Sequence, residues 1–99
     1  MQLKKNQEGT VLTVSLEGDL DTVSAPVLEK KLQSELDGVE KLIFDLSELE
    51  YVSSAGLRVF LSMQKKMRTQ GSMVIRNTNE EVMDIFKVTG FVKLLHIEK

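Results

Sequence analysis

The chain has 99 residues, of which 41% are hydrophobic and 28% are charged, and its formal charge is −2. This balance is that of one globular domain, and it argues against a disordered chain and a nucleic-acid-binding protein. No apolar run approaches the roughly 20 residues that a membrane-spanning helix requires. The chain has no cysteine, which excludes disulfides and thiolate chemistry, and the expected compartment is the cytoplasm.

The first third of the sequence predicts a hairpin and a helix. Residues Gln2 to Asn6 are weakly strand-like, and they are expected to pair with Thr10 to Glu17, where apolar and polar side chains alternate. Gly18-Asp19-Leu20-Asp21 then turns the chain. Ser24 is predicted to cap a helix that buries a leucine at every fourth position and ends near Asp37-Gly38.

The middle of the sequence predicts a buried strand followed by a long helix. The strand runs from Lys41 to Asp45, and a polar stretch leads from it to Tyr51-Val52. A helical period begins at Gly56 and ends near Gln70-Gly71. Gly56 lies on the apolar stripe of this helix, so its missing Cβ is expected to let the helix start lie close against the sheet.

The last third predicts a strand, a helix and a final strand. Met73-Val74-Ile75 is a short apolar run, and Thr78 begins a capping box for a helix that stops at Gly90. Val92 to Glu98 is predicted as the last strand. The order β-β-α-β-α-β-α-β predicts a single α/β domain over residues 1–99, with a mixed sheet of about five strands and three crossover helices.

Two hydroxyl side chains, Ser53 and Ser54, stand where the long helix begins. Backbone N–H groups are unpaired there and the helix dipole is positive, so one of these serines is a candidate to carry a phosphate. Serine is also a preferred helix cap, and most serines before a helix do only that. Spacing alone leaves both interpretations open.

Three aspartates form the one group of side chains in the sequence that could carry out chemistry. Asp19 and Asp21 follow the second strand and Asp45 ends the third, and sites in such sheets collect beyond the carboxyl ends of strands. One hypothesis is that the three carboxylates hold Mg²⁺ and that Asp45 accepts a phosphoryl group, as in a receiver domain. The alternative is that each aspartate bonds the backbone of its own turn.

The residues of common catalytic sites are missing from the sequence. His96 is the only histidine and there is no cysteine, so the residues needed for serine–histidine and cysteine–histidine catalytic sites and for zinc sites are not all present. Walker A and Gly-x-Gly-x-x-Gly sequences are absent. We therefore expect no enzyme, no cofactor and no metal site.

Leu57 and Leu61 lie about 100° and 140° around the long helix from Gly56, off the centre of its apolar stripe. They either form the apolar part of a docking patch beside Ser54 or pack under a neighbouring helix.

The sequence resembles the STAS family, which comprises the anti-sigma-factor antagonists and the related sulfate-transporter domains. The matching motifs are Asp45-Leu46-Ser47, Tyr51-Val52, Ser53-Ser54-Ala55-Gly56-Leu57, Gly18-Asp19-Leu20-Asp21 and Thr89-Gly90-Phe91. The resemblance implies a cytoplasmic switch protein that binds an anti-sigma factor with serine-kinase activity and so frees a sigma factor. Phosphorylation of a serine ends this binding, and a serine phosphatase restores it.

By position, the resemblance implies that Ser54 is the phosphate acceptor, with Ser53 as the alternative. Ser53 stands where many members of the family have aspartate. The predicted partner surface consists of Asp19, Asp21, Ser53, Ser54, Gly56, Leu57, Arg58 and Leu61. We expect a monomer when the protein is free. A STAS module that docks or senses a ligand without phosphorylation is the alternative function.

Overall fold

Within residues 1–98, four strands form one mixed sheet in which spatial order follows chain order. The computed structural model describes residues 1–98, and Lys99, the last residue of the predicted domain, lies outside them. The strands are β1 (Gln2–Glu8), β2 (Val11–Leu20), β3 (Lys41–Val52) and β4 (Ser72–Arg76). β1 and β2 form the predicted antiparallel hairpin, and β3 and β4 each run parallel to the preceding strand.

In the described part of the chain, three α-helices connect and follow the parallel strands: α1 (Ser24–Gln33), α2 (Ser54–Arg68) and α3 (Glu80–Thr89). Since β2, β3 and β4 succeed one another in one direction across the sheet, right-handed crossovers place α1 and α2 on the same face. The predicted α/β fold with three helices is confirmed.

The core lies between this sheet face and the helices. Every second residue of β2 from Leu12 to Leu16 is buried, as the predicted alternation requires. Phe60 of α2 stands at its centre, with its ring centroid 5.0 Å from that of Phe44 and 6.1 Å from that of Phe86, both edge to face. One aromatic cluster therefore joins β3, α2 and α3.

β3 extends further than predicted, through the polar stretch to Val52. Its pairing with β2 shifts register twice, between Ser15 and Glu17 and between Gly18 and Asp19. These bulges place adjacent polar residues of β3 on the surface and break the alternation of period two on which the prediction depended. The predicted end of the strand at Asp45 is therefore wrong.

The predicted fifth strand from Val92 to Glu98 is also wrong. The chain forms a 3₁₀ turn at Phe91–Lys93 and then makes a single bridge between Ile97 and Ile75. The Leu95 N–H donates to the Phe91 carbonyl at 3.0 Å, because these apolar residues are spaced for a helical turn rather than for a strand. His96, predicted inside this strand, is exposed.

Several helix boundaries differ from the prediction, and α2 runs from Ser54 to Arg68 rather than from Gly56 to about Gln70. α1 ends at Gln33, earlier than Asp37-Gly38. Asn79 rather than Thr78 caps α3, because its side chain accepts a hydrogen bond from the Val82 N–H at 2.9 Å. No helix within residues 1–98 has the length and apolar character needed to cross a membrane.

Candidate functional site

The carboxyl ends of β2 and β3 bring the two predicted turns together. Leu20 is paired with Val52 in the parallel ladder, and the Ser53 N–H donates to the Leu20 carbonyl at 2.8 Å. The predicted turn at Gly18-Asp19-Leu20-Asp21 is wrong in its start, because β2 continues through Leu20. Asp19 and Asp21 nevertheless lie beside the serine turn of Ser53 and Ser54, as expected if their strands are adjacent.

The two serines have different structural roles. Ser53 is the N-cap of α2: its Oγ accepts from the Gly56 N–H at 3.4 Å and its carbonyl accepts from the Leu57 N–H at 2.9 Å. Ser54 is the first residue of α2, its side chain is exposed, and its hydroxyl has no hydrogen-bond partner among residues 1–98. The free hydroxyl thus stands at the positive end of a helix of 15 residues.

Gly56 fixes how closely this helix approaches the sheet. A Cβ at this position would lie 2.7 Å from Val52 Cγ2 and 2.8 Å from Leu20 Cγ, well inside van der Waals contact. The start of α2 is consequently seated directly on the ends of β2 and β3, and the predicted inward orientation of Gly56 is confirmed.

The acidic turn is organised by Asp21. Its Oδ1 accepts hydrogen bonds from the N–H groups of Val23 and Ser24, both at 3.0 Å. These backbone donors, first that of Ser24 and then that of Val23, hold the pKa of the Asp21 carboxyl below its usual value. The predicted cap at Ser24 is wrong, because Ser24 is already helical and its Oγ accepts from the Asp21 N–H at 2.9 Å.

The third aspartate, Asp45, lies far from Asp19 and Asp21 in the sheet. Asp45 is six residues before Tyr51, the residue that pairs with Asp19, and six residues of strand span about 20 Å. Burial alone would raise the pKa of Asp45, but hydrogen bonds from the Ser47 N–H and the Asn77 amide hold it below its usual value. The hypothesis of a shared Mg²⁺ site is wrong, and no group of three candidate metal-ligating side chains lies together within residues 1–98.

Part of the predicted partner surface is not accessible. Gly56 is buried, and Leu57 is only 2% exposed. Leu61 is half-buried and packs against the core. Leu57 therefore packs inside rather than forming an exposed docking patch. Asp19, Ser54 and Arg58 are exposed, and Asp21 and Ser53 are half-buried.

A groove beside Ser54 was missed by sequence reasoning. It has a volume of about 360 Å³ and lies between the start of α2 and the outer side of α3. Its lining residues are Tyr51, Val52, Ser54, Leu57, Asp84, Ile85, Val88 and Thr89. The sequence feature that could have indicated the groove is the apolar pair Ile85 and Val88 on α3. Val88 is apolar although it lies outside the buried stripe formed by Val82 and Phe86.

Comparison with known proteins agrees with this architecture. The sequence profile of the STAS domain matches residues 2–99. BtrV of Bordetella bronchiseptica, a candidate anti-sigma factor antagonist, is 32% identical over 99 residues, which cover 98% of this chain and 85% of BtrV. The anti-sigma-B factor antagonist of Bacillus subtilis is 31% identical over 98 residues, which cover 98% of this chain and 88% of that protein.

Solved structures share the fold. Unphosphorylated SpoIIAA, an anti-sigma factor antagonist, superposes with a TM-score of 0.84 at 16% identity, covering 99% of this chain and 89% of SpoIIAA. The phosphorylated form of SpoIIAA from Bacillus superposes with a TM-score of 0.75 at 15% identity, covering 99% of this chain and 92% of that one. From the profile match and the two sequence relatives together, this chain belongs to the STAS-domain family, in the group of the anti-sigma-factor antagonists.

Proposed function

We infer that this protein is a partner switch controlled by phosphorylation of Ser54. In its unphosphorylated form it binds an anti-sigma factor with serine-kinase activity in the cytoplasm, as a monomer, and so frees a sigma factor. The kinase then phosphorylates Ser54 and the complex dissociates, and a serine phosphatase restores the hydroxyl. The observation that carries this proposal is the hydroxyl of Ser54 on the first residue of α2, which is exposed and has no hydrogen-bond partner within residues 1–98.

The structure of the turn favours Ser54 over Ser53 as the acceptor. The Ser53 hydroxyl is half-buried and bonded to the Gly56 N–H, so phosphorylation there would remove the cap of α2. Ser54 has no such role. A phosphate on Ser54 would stand at the positive helix end, where a negative charge is tolerated or slightly favourable.

The rigid base of the turn supports a switch of charge rather than of shape. Ser53 is tied to Leu20 by a backbone hydrogen bond, and Gly56 is in close contact with Val52 and Leu20. A phosphate adds about −1.5 to −2 charges at neutral pH. A partner surface fitted to a neutral hydroxyl would have to desolvate that charge, close to the carboxylates of Asp19 and Asp21, so binding is lost without refolding.

The first experiment identifies the acceptor. The purified chain is incubated with ATP, Mg²⁺ and each anti-sigma-factor kinase encoded in its genome, and tryptic peptides are sequenced by mass spectrometry. Cleavage after Lys41 and Arg58 releases both serines in one peptide, and fragmentation distinguishes them. We expect phosphate on Ser54, unchanged incorporation in Ser53→Ala and none in Ser54→Ala. Phosphate on Ser53, or on neither serine, would contradict the proposal.

The second experiment measures binding of the same kinase to the parent, Ser54→Ala and Ser54→Asp by calorimetry. Ser54→Ala should bind like the parent, and Ser54→Asp should bind about tenfold or more weakly, equivalent to ~1.4 kcal/mol. Its thermal midpoint should hardly change, because the added charge lies at a helix N-terminus. Tight binding by Ser54→Asp would favour the alternative, a STAS docking module that is not regulated by phosphorylation.

A further inference from the structure

Arg58 is the basic residue nearest along the chain to the proposed phosphate acceptor. It lies four residues after Ser54 on α2, and both residues are exposed. Side chains four residues apart share one face of a helix, with their Cβ atoms about 5–6 Å from each other. Because each Cα–Cβ bond is tilted toward the helix N-terminus, an arginine at position 58 can reach back over the turn that begins at Ser54.

The guanidinium of Arg58 is available for a new partner. Arg58 and Glu29 line the same cleft between α1 and α2, which has a volume of about 390 Å³. The Arg58 guanidinium nevertheless forms no ion pair or hydrogen bond within residues 1–98, and Oε1 of Glu29 instead accepts from the Ser62 hydroxyl at 3.4 Å. A pairing with a group on Ser54 would therefore break no existing contact of Arg58.

The chain segments next to Ser54 are otherwise acidic. Residues 17–24 and 47–57 contain five acidic residues and no lysine or arginine, and Asp19, Glu48 and Glu50 among them are exposed. A phosphate on Ser54 would add about −1.5 to −2 charges, and carboxylates nearby disfavour that charge. Arg58 is the side chain of this part of the sequence that can compensate it.

We propose that phosphorylation of Ser54 creates an ion pair between the phosphate and Arg58 within α2. One modification then adds a negative charge to the surface and also engages a positive charge that is free in the unmodified protein. The inference rests on the function proposed above and gives Arg58 a specific role in it. Arginine suits this role because its guanidinium donates two parallel hydrogen bonds to phosphate oxygens. An acidic group four residues before a basic one is also the favourable order on a helix.

The test uses phosphoserine installed at position 54 during protein synthesis, so it requires no kinase. Phosphorus NMR follows the second pKa of the phosphate, which is about 6 for phosphoserine. In Arg58→Gln this pKa should be higher than in the parent by about 0.3 or more, the shift that corresponds to an ion pair along a helix. The helix end and the neighbouring carboxylates are the same in both proteins, so the difference isolates Arg58. Arg58→Lys, which keeps the charge, should recover part of the shift.

The matched control is Lys65→Gln, which removes the same charge from an exposed position of α2 about 16 Å from Ser54 and should leave the phosphate pKa unchanged. An equal phosphate pKa in the parent and in Arg58→Gln would overturn the ion pair and leave the switch intact. The switch itself is tested by binding of the anti-sigma-factor kinase to the phosphorylated parent. Binding as tight as to the unphosphorylated parent would contradict the switch, whereas the phosphate pKa would still decide the ion pair.

Discussion

The Ser53 N–H donates to the Leu20 carbonyl at 2.8 Å, and this bond joins the end of β2 to the start of α2. It lies near Gly56, where the side chain of Leu20 leaves no room for a Cβ. The position of the Ser54 hydroxyl is therefore set by two strands and a helix together, and not by a flexible loop.

Gly56→Ala should destabilise the protein by about 1–3 kcal/mol, the usual cost of overpacking a closely packed site. The new Cβ would lie 2.7 Å from a methyl group of Val52, and valine has little freedom to move away. Urea unfolding followed by circular dichroism measures the change. Without the clash, alanine in a helix would instead stabilise by up to about 1 kcal/mol, so a more stable variant would contradict the close approach.

Gly71→Ala should destabilise the protein more than Gly56→Ala. A Cβ on Gly71 would lie 1.8 Å from the Glu40 carbonyl oxygen, and that oxygen also accepts the Ser72 N–H at 2.9 Å. Backbone engaged in a hydrogen bond cannot yield as a side chain does, so β3 and β4 must separate locally. Amide exchange should be faster in β4 of the variant, and equal stability of the two alanine variants would contradict this ranking.

Ser53→Ala should destabilise the protein by about 1 kcal/mol through loss of the N-cap, and Ser53→Asp should not. Aspartate provides an acceptor for the Gly56 N–H and a charge that suits the helix dipole. Thermal unfolding of both variants measures the difference. If alanine and aspartate at this position are equally stable, Ser53 has no capping role, and its structural distinction from Ser54 is lost.

The sequence was sufficient to predict the fold and the position of the serine turn. Apolar residues that recur with the helical period identified the helices. The position of Gly56 on the apolar stripe of α2 indicated the close contact of helix and sheet. The extension of β3 was missed because its bulges break the alternation of apolar and polar residues. The prediction of a final strand from Val92 to Glu98 is wrong because Phe91 and Leu95 are apolar but are spaced for a helical turn.

The candidate surface was predicted less completely, because it depends on contacts between distant parts of the chain. The exposure of Leu57 could not be judged without knowing that α3 packs beside the end of β3, where it forms one wall of a groove. Val88 and Asp84 lie about 30 residues after Ser54 in the chain, and only the packing of α3 brings them to the same groove.

The Asp21 carboxyl should titrate at lower pH in the folded protein than in the unfolded chain, because the charged form accepts the Ser24 and Val23 N–H groups. A pKa that is lower in the folded state stabilises the fold above the unfolded-state pKa, about 3.9 for aspartate. This stabilisation is lost as the pH falls through the folded-state pKa. Carbon-detected NMR titration of the Asp21 carboxyl measures the value directly.

Unfolding experiments give an independent check on Asp21. At neutral pH, Asp21→Ala should be less stable than the parent, and the difference should shrink as the pH falls below about 4, where the parent loses the same interaction. Asp21→Asn is the matched control: its amide oxygen still accepts the two N–H groups but carries no charge, so its own stability should depend less on pH over this range. A carboxyl that titrates at or above the unfolded-state pKa would contradict this stabilisation of the charged Asp21, and the turn would then be held by the Ser24 hydroxyl, which accepts from the Asp21 N–H, and by the backbone. Asp21 would in that case be free to bind a partner without disturbing the start of α1.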